Sequence, residues 1–327
     1  MEVKDVTIDR INLRVSKVAG EEWQRIIDGL FYLTRDSKIV NYNVPPEKLG
    51  IGEYRHSIHI DVSTDRQGAM YLGFQNNGAK LNSNNIYDMK IEFNPSKSTD
   101  GTQAVFELLN EIISDKAVRL IELDVAIDVP LKHSEVYSVN VSGRNVHAYA
   151  TTRYFGQMHT DGYLKVYDKR KERLEQNNED IGHELTRIEF TVRPNGRDGV
   201  GYQRLLSHEI NYDKLYRIGS VNEITDFYVK CVVLALMSSE NTMTFKNVPR
   251  SERKKIKAEL DSNVQRLYVD DVFRLRWEEL VQGIKKWFFN SADLTELELI
   301  LGKVPENQKH KKRYKKSLSK ISLADLD

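Results

Sequence analysis

A single cysteine, Cys231, excludes a disulfide within the chain and any metal centre built on paired thiolates. It stands in the apolar run CVVLALM and reads as a small buried hydrophobe. No apolar run is long enough for a transmembrane helix. The opening, MEVKDVTIDR, is too charged for a signal peptide, so the expected compartment is the cytoplasm, with no membrane partner. Charge of one sign is not in excess either. Lys and Arg number 49 against 48 Asp and Glu, a formal net charge of +1, so any nucleic-acid role must lie in how charge is distributed. There is no Gly-x-x-x-x-Gly-Lys-Ser/Thr loop, which argues against ATP use, and no Gly-x-Ser-x-Gly elbow.

What is present is a chain of 327 residues, long enough to bury a real core as two units or as one domain with an appendage. Residues 3 to 15 alternate through Val6, Ile8, Leu13 and Val15 and read as a strand. EEWQRIIDGLFYL carries Trp23, Ile26, Ile27, Leu30 and Phe31 at amphipathic-helix spacing, and Pro45-Pro46 and Gly50 mark residues 36 to 54 as a loop. HSIHIDV, AMYLGF and IYDMKIEF read as three strands, followed by a helix over 102 to 114 and a long strand, AVRLIELDVAIDV. His56 and His59 are ordinary strand histidines on opposite faces. Further strands are expected near 136 to 141, 147 to 156, 163 to 168 and 183 to 193, with a charged helix before the last.

After Gly199 the pattern turns helical, through EITDFYVKCVVLALM (expected to be buried), SERKKIKAELDSNVQRLY, VDDVFRLRWEELVQGIKKWFFN and DLTELELIL. The expected fold is α+β: two related antiparallel or mixed β-sheet halves with helices on one side, about 1–130 and 131–245, then a helical region 246–302, where DNA recognition is expected, and a basic tail 303–327. The tail carries Lys309, Lys311, Lys312 and Arg313, which suit phosphate contacts, although such runs are often no more than solvated.

Three strands carry the chemistry. In GYLKVYD, Tyr163, Lys165 and Tyr167 share one face, and in HELTRIEFTVR, Arg187 and Glu189 do. In AVRLIELDVAIDV, burying Leu123, Val125, Ile127 and Val129 lines up Glu122, Asp124, Ala126 and Asp128 on the reverse. Same-face neighbours there stand about 6.6 Å apart, twice the ~3.3 Å strand rise, so a divalent ion could join two carboxylates. A phenol, cations and carboxylates over one sheet surface are the parts for attacking a phosphodiester with tyrosine.

Tyr154-Phe155-Gly156, then Val166-Tyr167-Asp168-Lys169-Arg170-Lys171-Glu172, then Arg187-Ile188-Glu189 resemble the core of the Rep_trans replication initiators. These are rolling-circle plasmid Rep proteins, with related relaxases of integrative conjugative elements. Asp124 to Asp128 matches an upstream Asp-x-Ala-x-Asp, and the resemblance spans roughly residues 50 to 245. One segment departs: Gly156-Gln157-Met158-His159-Thr160 stands where the family usually has Gly-Ser-Arg-x-Ser. The His-x-His pair of the other large tyrosine-nickase class is absent.

The resemblance implies that 1–245 is a nicking-closing domain and that Tyr167 is the nucleophile, with Tyr163 as the fallback. It implies Lys169 and Arg187 as catalytic cations, Mg²⁺ or Mn²⁺ on Asp124, Glu189 and Asp128, and DNA contacts from Lys165 and Arg170. Double-strand origin DNA and single-stranded DNA are the implied substrates, a homodimer the assembly and a host PcrA-type helicase the partner. A conjugative relaxase with the same chemistry, a non-catalytic DNA-binding protein on this scaffold, and a nuclease using carboxylates and water are the competing readings.

Overall fold

A computed structural model of the chain describes residues 5–44, 54–64, 68–76, 86–140, 146–149, 151–196, 198–208, 216–238, 244–263, 266–267 and 269–289. All of them belong to one compact unit, Met1–Ser291. The helix expected over DLTELELIL and the basic tail, with Lys309, Lys311, Lys312 and Arg313, lie outside the described residues.

The strands β1 (Asp5–Ala19), β2 (Asn41–Asn43), β3 (Tyr54–Asp61), β4 (Met70–Asn76) and β5 (Ile86–Phe93) make the first half. Helix α1 (Gly20–Arg35) follows β1, and α2 (Asp100–Ile113) follows β5. Next come β6 (Val118–Val129), β7 (Val136–Asn140), β8 (Val146–Tyr149), β9 (Thr152–Phe155), β10 (Leu164–Asp168), α3 (Lys169–Asn177) and β11 (Thr186–Val192). The rest is α4 (Tyr202–Leu206), β12 (Tyr216–Ser220), α5 (Phe227–Met237), α6 (Arg250–Ser262) and α7 (Val269–Ile284). The fold is α+β, with a large antiparallel sheet and a helical C-terminal part.

Ten strands join in one sheet, in the order β2-β3-β4-β5-β1-β6-β11-β10-β9-β8. The order is mirrored about the β1–β6 pair. Each half lays down a long central strand, jumps to an outer edge and meanders back until its last strand pairs with its first. The two halves expected from the sequence are thus fused along their longest strands, and every adjacent pair in the sheet is antiparallel.

One face of this sheet is apolar. Leu13, Leu72, Ile91, Val125, Ile188 and Val166 lie in a single core with Trp23, Ile26 and Leu30 of α1, Phe106 and Leu109 of α2, and Trp277 and Val281 of α7. Trp287 closes it against Phe93 and Phe106, with ring centroids 5.1 and 4.6 Å apart. Burying that face leaves the alternate residues of each strand on the reverse, and the polar side chains collect there.

A smaller cluster holds Tyr137, Val139, Val229, Val233, Ile256 and Leu260, drawn from β7, α5 and α6. Strand β12 pairs with β7 outside the large sheet. A strand at Tyr216–Ser220 was not expected, because its pairing partner lies far back in the chain and local periodicity does not register it. Cys231 is exposed rather than buried. Helix α5 buries Val229, Val232 and Val233 and turns Phe227, Cys231 and Leu234 outward, Phe227 with 80% of its surface open. In a wholly apolar run no spacing says which face goes inward. Among the described residues, no helix is long and apolar enough to cross a membrane.

Candidate active site

Three neighbouring strands deliver the site by register. Lys165 stands opposite Glu189 and Tyr167 opposite Arg187 on the β10–β11 pair. Arg187 stands opposite Asp128, Glu189 opposite Ala126 and Thr191 opposite Asp124 on β11–β6. Directly opposed and diagonal side chains on one sheet face are close enough to bond, and here they do.

Tyr167 donates its hydroxyl to Glu189 Oε1 at 2.5 Å, and Lys165 Nζ holds Glu189 Oε2 at 2.8 Å. Arg187 grips Asp128 with both arms, Nε to Oδ1 at 2.7 Å and Nη2 to Oδ2 at 2.6 Å. Thr191 Oγ1 donates to Asp124 Oδ1 at 2.7 Å. Tyr167 is half-buried at the end of β10. The strand stops there because the Asp168 carboxylate caps α3, accepting from the Lys171 amide at 2.9 Å. Lys169, first in that helix, sets its ammonium 5.7 Å from the Tyr167 ring centroid and pairs with Glu172 at 2.6 Å.

Two participants come from β1 and were not legible in the pattern. Ile8 pairs with Val125 but Arg10 pairs with Asp124, so Asp9 is the extra residue of a β-bulge. The bulge lets both Asp9 and Arg10 reach the polar face. Asp9 accepts from Arg187 Nη1 at 3.2 Å, and Arg10 Nε donates to Asp124 Oδ2 at 2.9 Å. Arg10 also bonds Glu122. The bulge's one trace in the sequence is the apolar pair Ile8 and Ile11, both buried, three apart instead of two.

The segment that departs from the Rep_trans pattern folds over Glu122. It enters and leaves through Gly156 and Gly162, both at positive φ, where glycine carries no steric cost. His159 Nδ1 lies 3.3 Å from Glu122, and Arg193 bonds the His159 carbonyl and approaches Glu122 at 3.7 Å.

Every carboxylate here is matched. Asp9, Glu122, Asp124, Asp128 and Glu189 each have an Arg or Lys nitrogen within 4 Å. Burial, and then the Glu189 carboxylate, push the Tyr167 phenol far above the ordinary tyrosine value. Burial alone would lower Lys165, but the Glu189 and Asp124 charges outweigh it and hold it above the usual lysine value. Burial would likewise lower Arg187, and Asp128 and Asp9 raise it. Burial would raise Asp9, and the positive charges of Arg187 and Lys169 hold it low.

The residues singled out on β6, β10 and β11 therefore meet in one place. Tyr163, the fallback nucleophile, is buried, with burial raising its phenol. Arg170 turns away to bond Asp180 and Glu184 at 3.0 and 3.1 Å.

Among the described residues, no group of three or more His, Cys, Asp and Glu is arranged to hold a metal ion. Two carboxylates come nearer. Asp124 and Glu189 lie diagonally on adjacent strands, Glu189 opposite Ala126 and Asp124 opposite Thr191, and both are hard oxygen donors. Mg²⁺ is commonly held by one or two carboxylates together with substrate phosphate and water. Here the oxygens of Asp124 are bonded by Thr191 and Arg10, those of Glu189 by Tyr167 and Lys165, and those of Asp128 by Arg187, so an ion would have to displace present partners.

No family model matches the chain, and no curated protein matches it. Among solved structures it is similar to one described as a rolling circle replication initiator protein from Geobacillus stearothermophilus. The identity is 16%, over 58% of this chain and 75% of that chain, with a TM-score of 0.29. A likeness that slight carries no argument about what this chain does.

Proposed function

We propose that the protein is a tyrosine DNA nickase and strand transferase, an initiator of rolling-circle replication that opens and rejoins one strand of its double-strand origin. The observation that carries this is the Tyr167 hydroxyl at a strand end, half-buried and bonded to Glu189 at 2.5 Å. Its oxygen attacks the phosphorus, and the phosphorus–O3′ bond breaks. A 5′-phosphotyrosyl link forms, and Glu189 takes the phenolic proton. The O3′ leaves and is protonated from solvent, giving a 3′-OH that a polymerase can extend. One phosphodiester replaces another, so the step reverses and the ends can be rejoined.

Lys165 orients Glu189 through its 2.8 Å bond. Lys165 and Lys169 bring positive charge to the phosphate. Arg187, fixed by Asp128 and Asp9, lies behind the phenol and favours the phenolate as the proton leaves. Mg²⁺ or Mn²⁺ on Asp124 and Glu189 belongs to the same proposal; each carboxylate would give up a present partner to hold it, and the ion when bound offsets charge on the phosphate oxygens. The homodimer, the helicase partner and phosphate contacts from the basic tail belong to the same proposal.

The test is incubation of the full chain with supercoiled origin plasmid and Mg²⁺ or Mn²⁺, followed by mass spectrometry of any DNA-bearing peptide. A nucleotide on the peptide containing Tyr167, lost in Tyr167→Phe while duplex binding survives, is the expected result. Relaxation that persists in Tyr167→Phe removes Tyr167 as nucleophile. Cleavage without any adduct favours a water-using nuclease, and binding without cleavage favours a non-catalytic DNA-binding protein.

A further inference from the structure

The mirrored strand order gives each residue of the candidate active site a counterpart in the first half. Strand β5 is the counterpart of β11, and the sequences match there: Lys90-Ile91-Glu92-Phe93 against Arg187-Ile188-Glu189-Phe190. Strand β4 is the counterpart of β10. Opposite Glu189 stands Lys165, while opposite Glu92 stands Tyr71. Opposite Arg187 stands Tyr167, while opposite Lys90 stands Gly73. A side chain at 73 has no room, since a Cβ there would lie 2.7 Å from the Tyr54 ring and 3.0 Å from that of Tyr71. The first half keeps the carboxylate and its cation, lacks a nucleophile at that register, and moves the tyrosine one pleat along.

What it offers instead is a cleft of about 390 Å³, lined by Asp9, Arg10, His59, Tyr71, Glu92 and Asn94 among others. That volume is in the range of pockets that take small molecules. His59 packs edge-on to Tyr71 with centroids 5.1 Å apart, and Lys90 Nζ sits 5.6 Å from the Tyr71 ring. Glu92 is bonded to Lys90 at 2.8 Å and lies 3.9 Å from Arg10, so opposite charges face each other across the floor. Asp9 and Arg10 belong to both places, because they also contact Arg187 and Asp124. The cleft and the candidate active site therefore adjoin along β1.

We propose that this cleft holds an unpaired nucleobase of the DNA strand whose phosphate lies at Tyr167. The inference rests on the nickase reading above and adds a base-reading subsite to it. An aromatic wall suits the π-face of a base, which is how proteins commonly hold splayed-out nucleotides. The matched charges suit a neutral ring better than a second phosphate. Carboxylate oxygens accept from exocyclic amines, so cytosine and adenine fit better than thymine, which presents the O4 acceptor.

The test uses the full chain and fluorescein-labelled dC12, dA12 and dT12, with affinity read by anisotropy. The wild type is expected to bind dC12 and dA12 about tenfold more tightly than dT12, as one base contact allows. Glu92→Gln is expected to erase the preference. Tyr71→Ala weakens all three about tenfold or more, Tyr71→Phe restores them, and Tyr167→Phe leaves the preference intact. An oligonucleotide carrying 5-iodocytosine, irradiated on the wild type, should crosslink to Tyr71 or His59, which keeps the inference testable if Tyr71→Ala does not fold. Equal affinities in every variant, or crosslinks only elsewhere, overturn it. The nickase reading fails separately, if the wild type forms no tyrosyl adduct with origin DNA while the base preference stands.

Discussion

The Tyr167 hydroxyl and Glu189 Oε1 are 2.5 Å apart, a diagonal contact across the β10–β11 pair. The other Glu189 oxygen is fixed by Lys165 at 2.8 Å, so the carboxylate is aimed before any substrate arrives. Burial and that same carboxylate keep the phenol protonated well past the ordinary tyrosine range. The phenol is therefore a poor nucleophile until its proton is taken, and the group placed to take it is Glu189.

Glu189→Gln retains the size of the side chain and cannot accept that proton. Adduct formation on a labelled origin oligonucleotide should fall by about 10² to 10⁴-fold, the usual worth of a positioned base. The residual rate should rise about tenfold per pH unit between pH 7 and 9 as hydroxide takes over the deprotonation. Single-turnover adduct formation on denaturing gels measures both effects. A variant with the wild-type rate would mean that Glu189 is not the base.

The strand faces were legible because they obey a two-residue period. Alternation put Lys165 with Tyr167, Arg187 with Glu189 and Asp124 with Asp128 on one face of each strand, while the strand order and register that bring the three strands together come from the tertiary structure. Asp9 and Arg10 escaped notice because a bulge breaks that period, and its only trace is the interval between Ile8 and Ile11. The kinship of Lys90–Phe93 with Arg187–Phe190 was in the sequence as well, but four residues mean little until the strand order shows them at equivalent places. Arg170 looked free to meet phosphate, and only the tertiary structure pairs it with Asp180 and Glu184.

Arg187 is buried, and Asp128 supplies its two shortest bonds. Asp128→Ala leaves the guanidinium with only the longer contact to Asp9. Stripping one partner from a buried pair costs about 3–5 kcal/mol, and replacing both with apolar groups recovers much of it. Urea unfolding should show a loss of that order for Asp128→Ala and a smaller one for Asp128→Ala with Arg187→Met. Equal losses in the two variants would show that the pair carries no desolvated charge.

Cys231 lies on the open face of α5 with Phe227 and Leu234. The native chain should react with one equivalent of a thiol reagent at a rate near that of an unfolded control. Protection that persists at high dilution would place Cys231 under other parts of the chain. Protection that disappears on dilution would place the exposed stripe of α5 in an interface between copies.

His133 offers the clearest pH signature. Burial, and then the charge of Arg153, pull its imidazole down to about 4 from an ordinary 6.5. Arg153 Nη2 lies 3.3 Å from His133 Nε2, so protonation would set a second cation against the buried Arg153. The folded chain therefore holds His133 neutral where the unfolded chain takes a proton. That stability is fully present above about pH 6.5 and is lost as the pH falls towards 4, a difference of about 3 kcal/mol across the window. The unfolding free energy of the wild type should fall by about 3 kcal/mol relative to that of His133→Gln as the pH drops from 7 to 4, because only the wild type carries this titration. A constant gap between the two over that range would mean that His133 is already solvated in the native fold.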